Sequence, residues 1–132
     1  MNMTKIGWVG LGNMGIPMAG QLVEAGYPVT VYNRSKGKEA HLKELGALIA
    51  ETPKALIADT EVVIIMVADD TAVDQIFNDK DGLFGADVSG KVIINMSTVS
   101  PAISKKMAKL CMEKGGQYLD APVSGSVKQA SW

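Results

Sequence analysis

A chain of 132 residues can build one domain with a real core, and 47% apolar with 20% charged residues is the balance of a soluble globular protein. A formal net charge of -1 offers no basic patch to nucleic acid or an anionic membrane, and no apolar run approaches the roughly 18 to 20 residues that span a bilayer. Met1 to Lys5 lacks the features of a secretory signal, and the single cysteine, Cys111, cannot form an internal disulfide, so a reducing cytoplasm is the expected home.

Apolar runs and amphipathic stretches alternate from one end to the other. Lys5 to Val9 reads as a short buried strand that ends in a glycine-rich turn. From Asn13 to Ala25, Met14, Met18, Leu22 and Ala25 recur at helical spacing, with Gly26 as the C-terminal stop. Pro28 to Tyr32 is a second strand, and Ser35 caps a helix to about Leu45 that Gly46 closes. Ala47 to Ala50 is a candidate short strand. Thr52-Pro53 opens a helix with Thr as cap and Pro at the first position, where its missing N–H costs nothing. Glu61 to Val67 is almost wholly apolar, as suits a central parallel strand buried on both faces. Asp69 or Asp70 caps a helix to about Phe77, and Gly82 to Gly90 reads as loop. Lys91 to Asn95 is a fifth strand, Ser100-Pro101 opens a long helix to about Lys114, and Gln117 to Ala121 is the last strand. There is no internal repeat or linker, so residues 1–132 read as one domain.

Regular β-α alternation with right-handed crossovers implies an α/β fold of the Rossmann type: a doubly wound, mainly parallel sheet with helices on both faces. Its ligands bind at the C-terminal ends of the strands. Gly10-Leu11-Gly12-Asn13-Met14-Gly15 fits G-x-G-x-x-G, a weak pattern alone but a strong one between a strand and a helix. Gly10 permits the tight turn, Gly12 lets backbone approach a pyrophosphate, and Gly15 lets helix and strand pack closely. The helix N-terminus presents free N–H groups to the phosphates. A dinucleotide is therefore the expected ligand.

The end of the second strand bears on which dinucleotide. An acidic residue there would hydrogen-bond a ribose 2′-hydroxyl and repel a 2′-phosphate. This chain has Asn33, Arg34, Ser35 and Lys36 instead. Asn33 removes the repulsion, and Arg34 offers a planar fork of donors. NADP is the expected cofactor, with NAD as the alternative.

Three further segments fall at strand ends: Val67-Ala68-Asp69, Asn95 to Pro101, and Asp120 to Ser126. Such hydroxyl-rich loops are often plain helix caps; Ser100-Pro101 is one, and Ser97 is a candidate for another. With the opening stretch Ile6 to Ala19, they resemble the β-hydroxyacid dehydrogenase family. That family includes 3-hydroxyisobutyrate dehydrogenase, tartronate semialdehyde reductase, glyoxylate/succinic semialdehyde reductases and, more distantly, 6-phosphogluconate dehydrogenase. The resemblance covers essentially the whole chain, and the motifs Ile6 to Ala19 and Asp120 to Gly125 are its most specific parts.

The resemblance implies an NAD(P)-dependent oxidoreductase of small 3-hydroxy or 2-hydroxy acids and their semialdehydes, homo-oligomeric at full length. It implies that Val67 and Ala68 lie along the cofactor, that Thr98 is near the nicotinamide, and that Ser124 and Gly125 hold the substrate carboxylate. Two residues depart from the family's pattern. Asn95 stands where many members have Asp, and Ser126 where many have a second Gly, which leans toward a small aldehyde acid. The family continues into an all-helical domain that supplies a lysine as general acid/base. This chain ends at Trp132, so the expectation is a truncated domain with no catalytic residue of its own. A binding module that holds NAD(P) without turnover is the alternative reading. A Rossmann domain for some other nucleotide is weaker, since Asp120 to Gly125 argues against it.

The remaining tempting residues read as ordinary. His41 lies within the second helix, and Lys105, Lys106, Lys109 and Lys114 form a solvated helix face. Cys111 reads as a core or half-buried thiol and the methionines as core filling. No cluster of metal ligands is visible.

Overall fold

Apolar strands that alternate with capped helices can pair only through crossovers, and the computed structural model shows the resulting sheet. It describes residues 4–11, 15–34, 37–67, 69–97 and 99–121. In chain order these form β1 (Ile6–Val9), α1 (Gly15–Glu24), β2 (Val29–Tyr32), α2 (Ala40–Leu45), β3 (Leu48–Ile49) and α3 (Pro53–Ala58). They continue through β4 (Val62–Ile65), α4 (Asp70–Asn78), β5 (Val92–Asn95), α5 (Pro101–Glu113) and β6 (Gln117–Asp120). The six strands are ordered β3-β2-β1-β4-β5-β6 and every pairing is parallel. The winding direction reverses between β1 and β4, which opens a crevice at their C-terminal ends.

Register decides what meets in that crevice. Val9 pairs with Tyr32 on one side and Ile65 on the other, so the residues after all three strands emerge side by side. Alternation sorts the core into two clusters. Ile6, Trp8, Val29 and Val31 meet Met18 and Ala19 of α1 and Leu42 of α2. Val9, Val63, Ile65 and Ile93 meet Leu56, Phe77 and Met107 from α3, α4 and α5. Helices thus cover both faces, but unevenly. The expected burial of β4 on both faces is corrected: Val63 and Ile65 are buried, whereas Val62 and Ile64 are only half so. The reason is lateral. α1 and α2 sit over β1 and β2, and cover thins toward β6, where Leu119 is 56% exposed.

Caps set several helix starts. Thr52 accepts from the Ala55 amide with Pro53 at the first position, and Ser100 accepts from Ile103 with Pro101 behind it. For α4 the cap is Asp69, whose Oδ1 accepts from the Ala72 amide at 2.9 Å. The second helix begins at Ala40 after Glu39, four residues later than the Ser35 cap read from the sequence. Gly37 adopts a left-handed φ of +104° that no helix accommodates, and the Glu39 carboxylate accepts from its amide. The Gly82–Gly90 stretch contains a tight helical turn at Leu83–Gly85. Leu83 is fully buried there, and Phe84 packs on Phe77 with ring centroids 4.9 Å apart. Lys91 donates to the carbonyls of Ile57 and Thr60, a cation at the C-terminal end of α3.

Candidate functional site

The crevice is built first by the turn after β1. Gly10 leaves the strand at φ +100°, and a Cβ there would lie 2.0 Å from the Met66 carbonyl oxygen. Its amide donates to the Tyr32 carbonyl at 3.0 Å, and its own carbonyl accepts from Trp8 Nε1 at 2.9 Å. A Cβ on Gly15 would meet that same carbonyl oxygen at 2.6 Å. Turn and helix start are therefore in direct backbone contact, as only glycines allow. Leu11 is buried, and its amide donates to Asn33 Oδ1 at 2.8 Å. Gly12, Asn13 and Met14 lie outside the described residues.

That bond gives Asn33 a task beyond its lack of charge. The side chain is 8% exposed and its oxygen holds the turn to the end of β2. Arg34, next in the chain, is exposed and donates from Nη1 to Gln75 Oε1 of α4 at 3.1 Å. Ser35 and Lys36 lie outside the described residues. Between the strand ends and α4 runs a cleft of about 520 Å³, bordered by Gly10, Asn33, Arg34, Val67, Ala72 and Gln75.

Farther along the crevice, side chains join the strand ends. The Val67 amide donates to Ser97 Oγ at 2.8 Å, and the Ser97 amide donates to Asn95 Oδ1 at 2.9 Å. Asn95 Nδ2 in turn donates to the Tyr118 hydroxyl at 3.0 Å. A carboxylate at this fully buried position could only accept from that hydroxyl; the carboxamide both accepts and donates. Burial raises the Tyr118 pKa, and the Asn95 bond works against it. The reading of Ser97 as a helix cap is thus corrected: Ser100 caps α5, and Ser97 instead closes the gap between β4 and β5. Asp70 is a further link, accepting from the Ser100 amide at 2.8 Å and its hydroxyl at 2.6 Å. These two bonds lower the Asp70 pKa. Ala68, Thr98, Ser124 and Gly125 lie outside the described residues. Ala121 donates to the Asn95 carbonyl at 2.9 Å, so the chain leaves β6 beside the end of β5.

Sequence reading brought Gly10, Leu11, Gly15, Asn33, Arg34 and Val67 to this crevice, and the structure gathers them there. It missed Gln75, whose only signal was a polar residue one turn inside a strand-end helix. His41, the three α5 lysines Lys105, Lys106 and Lys109, and Lys114 at its C-cap are exposed, while Cys111 is buried and its thiol pKa raised by desolvation. Among the described residues no group of three His, Cys, Asp or Glu side chains could hold a metal ion. No helix among them is long and apolar enough to cross a membrane.

Residues 5–132 match the family described as the NAD binding domain of 6-phosphogluconate dehydrogenase. The 2-hydroxy-3-oxopropionate reductase of Escherichia coli is 39% identical over 121 residues, which are 92% of this chain and 41% of that one. The 3-hydroxyisobutyrate dehydrogenase of Mycobacterium tuberculosis, solved with L-serine, superposes with a TM-score of 0.88 at 32% identity, over 98% of this chain and 43% of the other. Psf3, solved with NADP+ and 2-OPP, superposes with a TM-score of 0.89 at 30% identity, over 96% of this chain and 45% of the other. The chain spans about two-fifths of the length of the curated relatives it matches.

Proposed function

The chain belongs to the β-hydroxyacid dehydrogenase family as its N-terminal NAD(P)-binding domain, and on that premise we propose that it holds NADP for an oxidoreductase of small 3-hydroxy or 2-hydroxy acids and their semialdehydes. One observation carries the reading. The close-packed glycine turn, an uncharged Asn33 and an exposed Arg34 border a single cleft at the point where the sheet reverses direction.

The donors present suit a dinucleotide. Gly10, Gly12 and Gly15 let backbone approach the pyrophosphate, with the amides of Asn13 and Met14 and the N-terminus of α1 as the positive partner, while the Leu11 amide is held by Asn33. Arg34, with Ser35, takes the 2′-phosphate, while Asn33 puts no carboxylate against it. Val67 and Ala68 lie along the cofactor and Thr98 near the nicotinamide, which supplies or accepts the hydride when bound. Ser124 and Gly125 hold the substrate carboxylate. The resemblance assigns the general acid/base to a lysine, and no lysine among residues 1–132 matches its motif, so the role proposed for this domain is to bind cofactor and position substrate. We place the protein in the cytoplasm, on its single buried thiol, and expect the full-length form to be a homo-oligomer.

Calorimetric titration of the chain with NADP and NAD tests the proposal. NADP should bind more tightly, and Gly12→Ala should sharply weaken both cofactors while the fold is retained. Unchanged affinity in that variant would remove the turn from the site. Turnover by the purified chain on a semialdehyde acid would show that the proton donor lies within it.

A further inference from the structure

Arg34 and Gln75 stand 41 positions apart in sequence and meet across the mouth of the cleft, one at the end of β2 and the other on α4. The chemical character of the acceptor is the informative part. A guanidinium carries five N–H donors in a rigid fork, and this hydrogen bond engages Nη1 and leaves the other donors to a ligand. The acceptor is a neutral carboxamide, although its surroundings are acidic. α4 and the loop after it carry Asp70, Asp74, Asp79 and Asp81, of which Asp79 and Asp81 border the same cleft. Asp74 is engaged with Asn78 Nδ2 and Asp70 with Ser100. A glutamate at position 75 would suit helix propensity equally well. It would also pair with Arg34, cancel its charge and set a carboxylate beside any phosphate that approached.

We infer that Gln75 is a positioning residue for 2′-phosphate selection: it orients the Arg34 guanidinium at the cleft mouth without neutralising it. The inference rests on the reading that Arg34 takes the 2′-phosphate. It adds that the choice between cofactors is set from α4 as well as from the end of β2. Gln75 has no task in the hydride chemistry and acts only through Arg34.

The test is calorimetric titration of the 132-residue chain with NADP and with NAD, for wild type, Gln75→Glu, Gln75→Met, Arg34→Ala and the Arg34→Ala/Gln75→Glu double variant. Circular dichroism melts accompany each, and the half-buried helical position of Gln75 should leave them near wild type. Gln75→Glu should weaken NADP by about tenfold and NAD by no more than about twofold, the scale of weakening one charge-assisted hydrogen bond and adding one repulsion. Gln75→Met removes the acceptor and adds no charge, so NADP should weaken by only about threefold. With Arg34 absent, the further effect of Gln75→Glu on the NADP-to-NAD ratio should fall below about threefold, because the two residues act as a coupled pair. If Arg34→Ala abolishes the NADP preference but Gln75→Glu keeps the wild-type ratio, the inference fails and the reading of Arg34 stands. If Arg34→Ala leaves the ratio unchanged, the reading of Arg34 itself is overturned. Equal weakening of both cofactors by Gln75→Glu would make Gln75 a structural residue and end the inference.

Discussion

The two halves of the sheet hold their strand ends by different means. In the β1-α1-β2 half the work is done by backbone packed against backbone. Gly10 is wedged against the Met66 carbonyl, Gly15 against the Gly10 carbonyl, and one side chain, Asn33, reaches in to take the Leu11 amide. In the β4-β5-β6 half the ends are tied by side chains: Ser97 to Val67, Asn95 to Ser97 and Tyr118, and Asp70 to Ser100. A backbone approach that leaves no room for a Cβ has no graded response to substitution, whereas a hydrogen bond does. The first half should therefore be brittle where the second is tunable, which suits a turn that must let a phosphate come close to bare backbone.

The largest effect is expected at Gly10. An alanine there must adopt φ near +100° and place its methyl 2.0 Å from the Met66 oxygen. Strain and overlap each cost about 1–3 kcal/mol, and together they should exceed about 3 kcal/mol or prevent folding. Urea denaturation of Gly10→Ala with wild-type stability would show that the turn relaxes freely and that the halves do not differ.

Asn33 comes next. Asn33→Ala leaves the buried Leu11 amide without its acceptor, a loss of about 1–3 kcal/mol by the same assay. Asn33→Asp keeps an acceptor oxygen and should recover most of that stability. It should also turn the cofactor preference toward NAD, since a carboxylate then stands where a 2′-phosphate would come. A large loss of stability in both variants would mean that the site needs the carboxamide nitrogen as much as its oxygen.

In the other half, Ser97→Ala should cost about 1–2 kcal/mol, because the part-buried Val67 amide regains some access to water. Ser97→Thr retains the hydroxyl and should lie between alanine and wild type. A threonine variant less stable than alanine would indicate that crowding, and not the hydrogen bond, governs this position.

The smallest effect belongs to Asp70, whose carboxylate is open to solvent and bonded to Ser100. Those bonds favour the charged form and lower its pKa in the folded state. Its contribution is thus present above the ordinary carboxylate range and lost as pH falls through the lowered value. Asp70→Asn should lower stability slightly at neutral pH, flatten the acid limb of the stability curve below about pH 4, and differ least from wild type at the acid end. An equal loss at pH 7 and pH 3 would show that the link is not a matter of charge.

The comparison also marks where sequence could and could not be read. The glycine spacing exposed the brittle half directly, because the turn at Gly10 and the contact of Gly15 with the Gly10 carbonyl are local, although the Met66 carbonyl that crowds Gly10 comes from the end of β4. The tunable half was harder. Ser97 looked like a cap, since serine before a helix usually is one, and its true partner lies 30 positions away, just past β4. The start of α2 was misplaced for a similar reason: Ser35 satisfied a local rule, but Gly37 at a positive φ ended any helix that began there. β4 looked buried on both faces because it is apolar throughout; how far helices extend over β5 and β6 is not written in β4 itself.

By itself the sequence determined the alternation of strands and helices, the parallel sheet it implies and the turn that must be glycine. These follow from periodicity, caps and the steric demands of single residues, all of which act over a few positions. Tertiary structure alone decided who answers whom at the strand ends: Asn33 for the Leu11 amide 22 positions away, Ser97 for Val67, and Gln75 for Arg34 at 41. Those partners depend on strand order and register, which bring the ends of β2, β1, β4 and β5 level with one another. A hydrogen bond is short and directional, so the partner it finds is fixed only once the sheet has set every end in place.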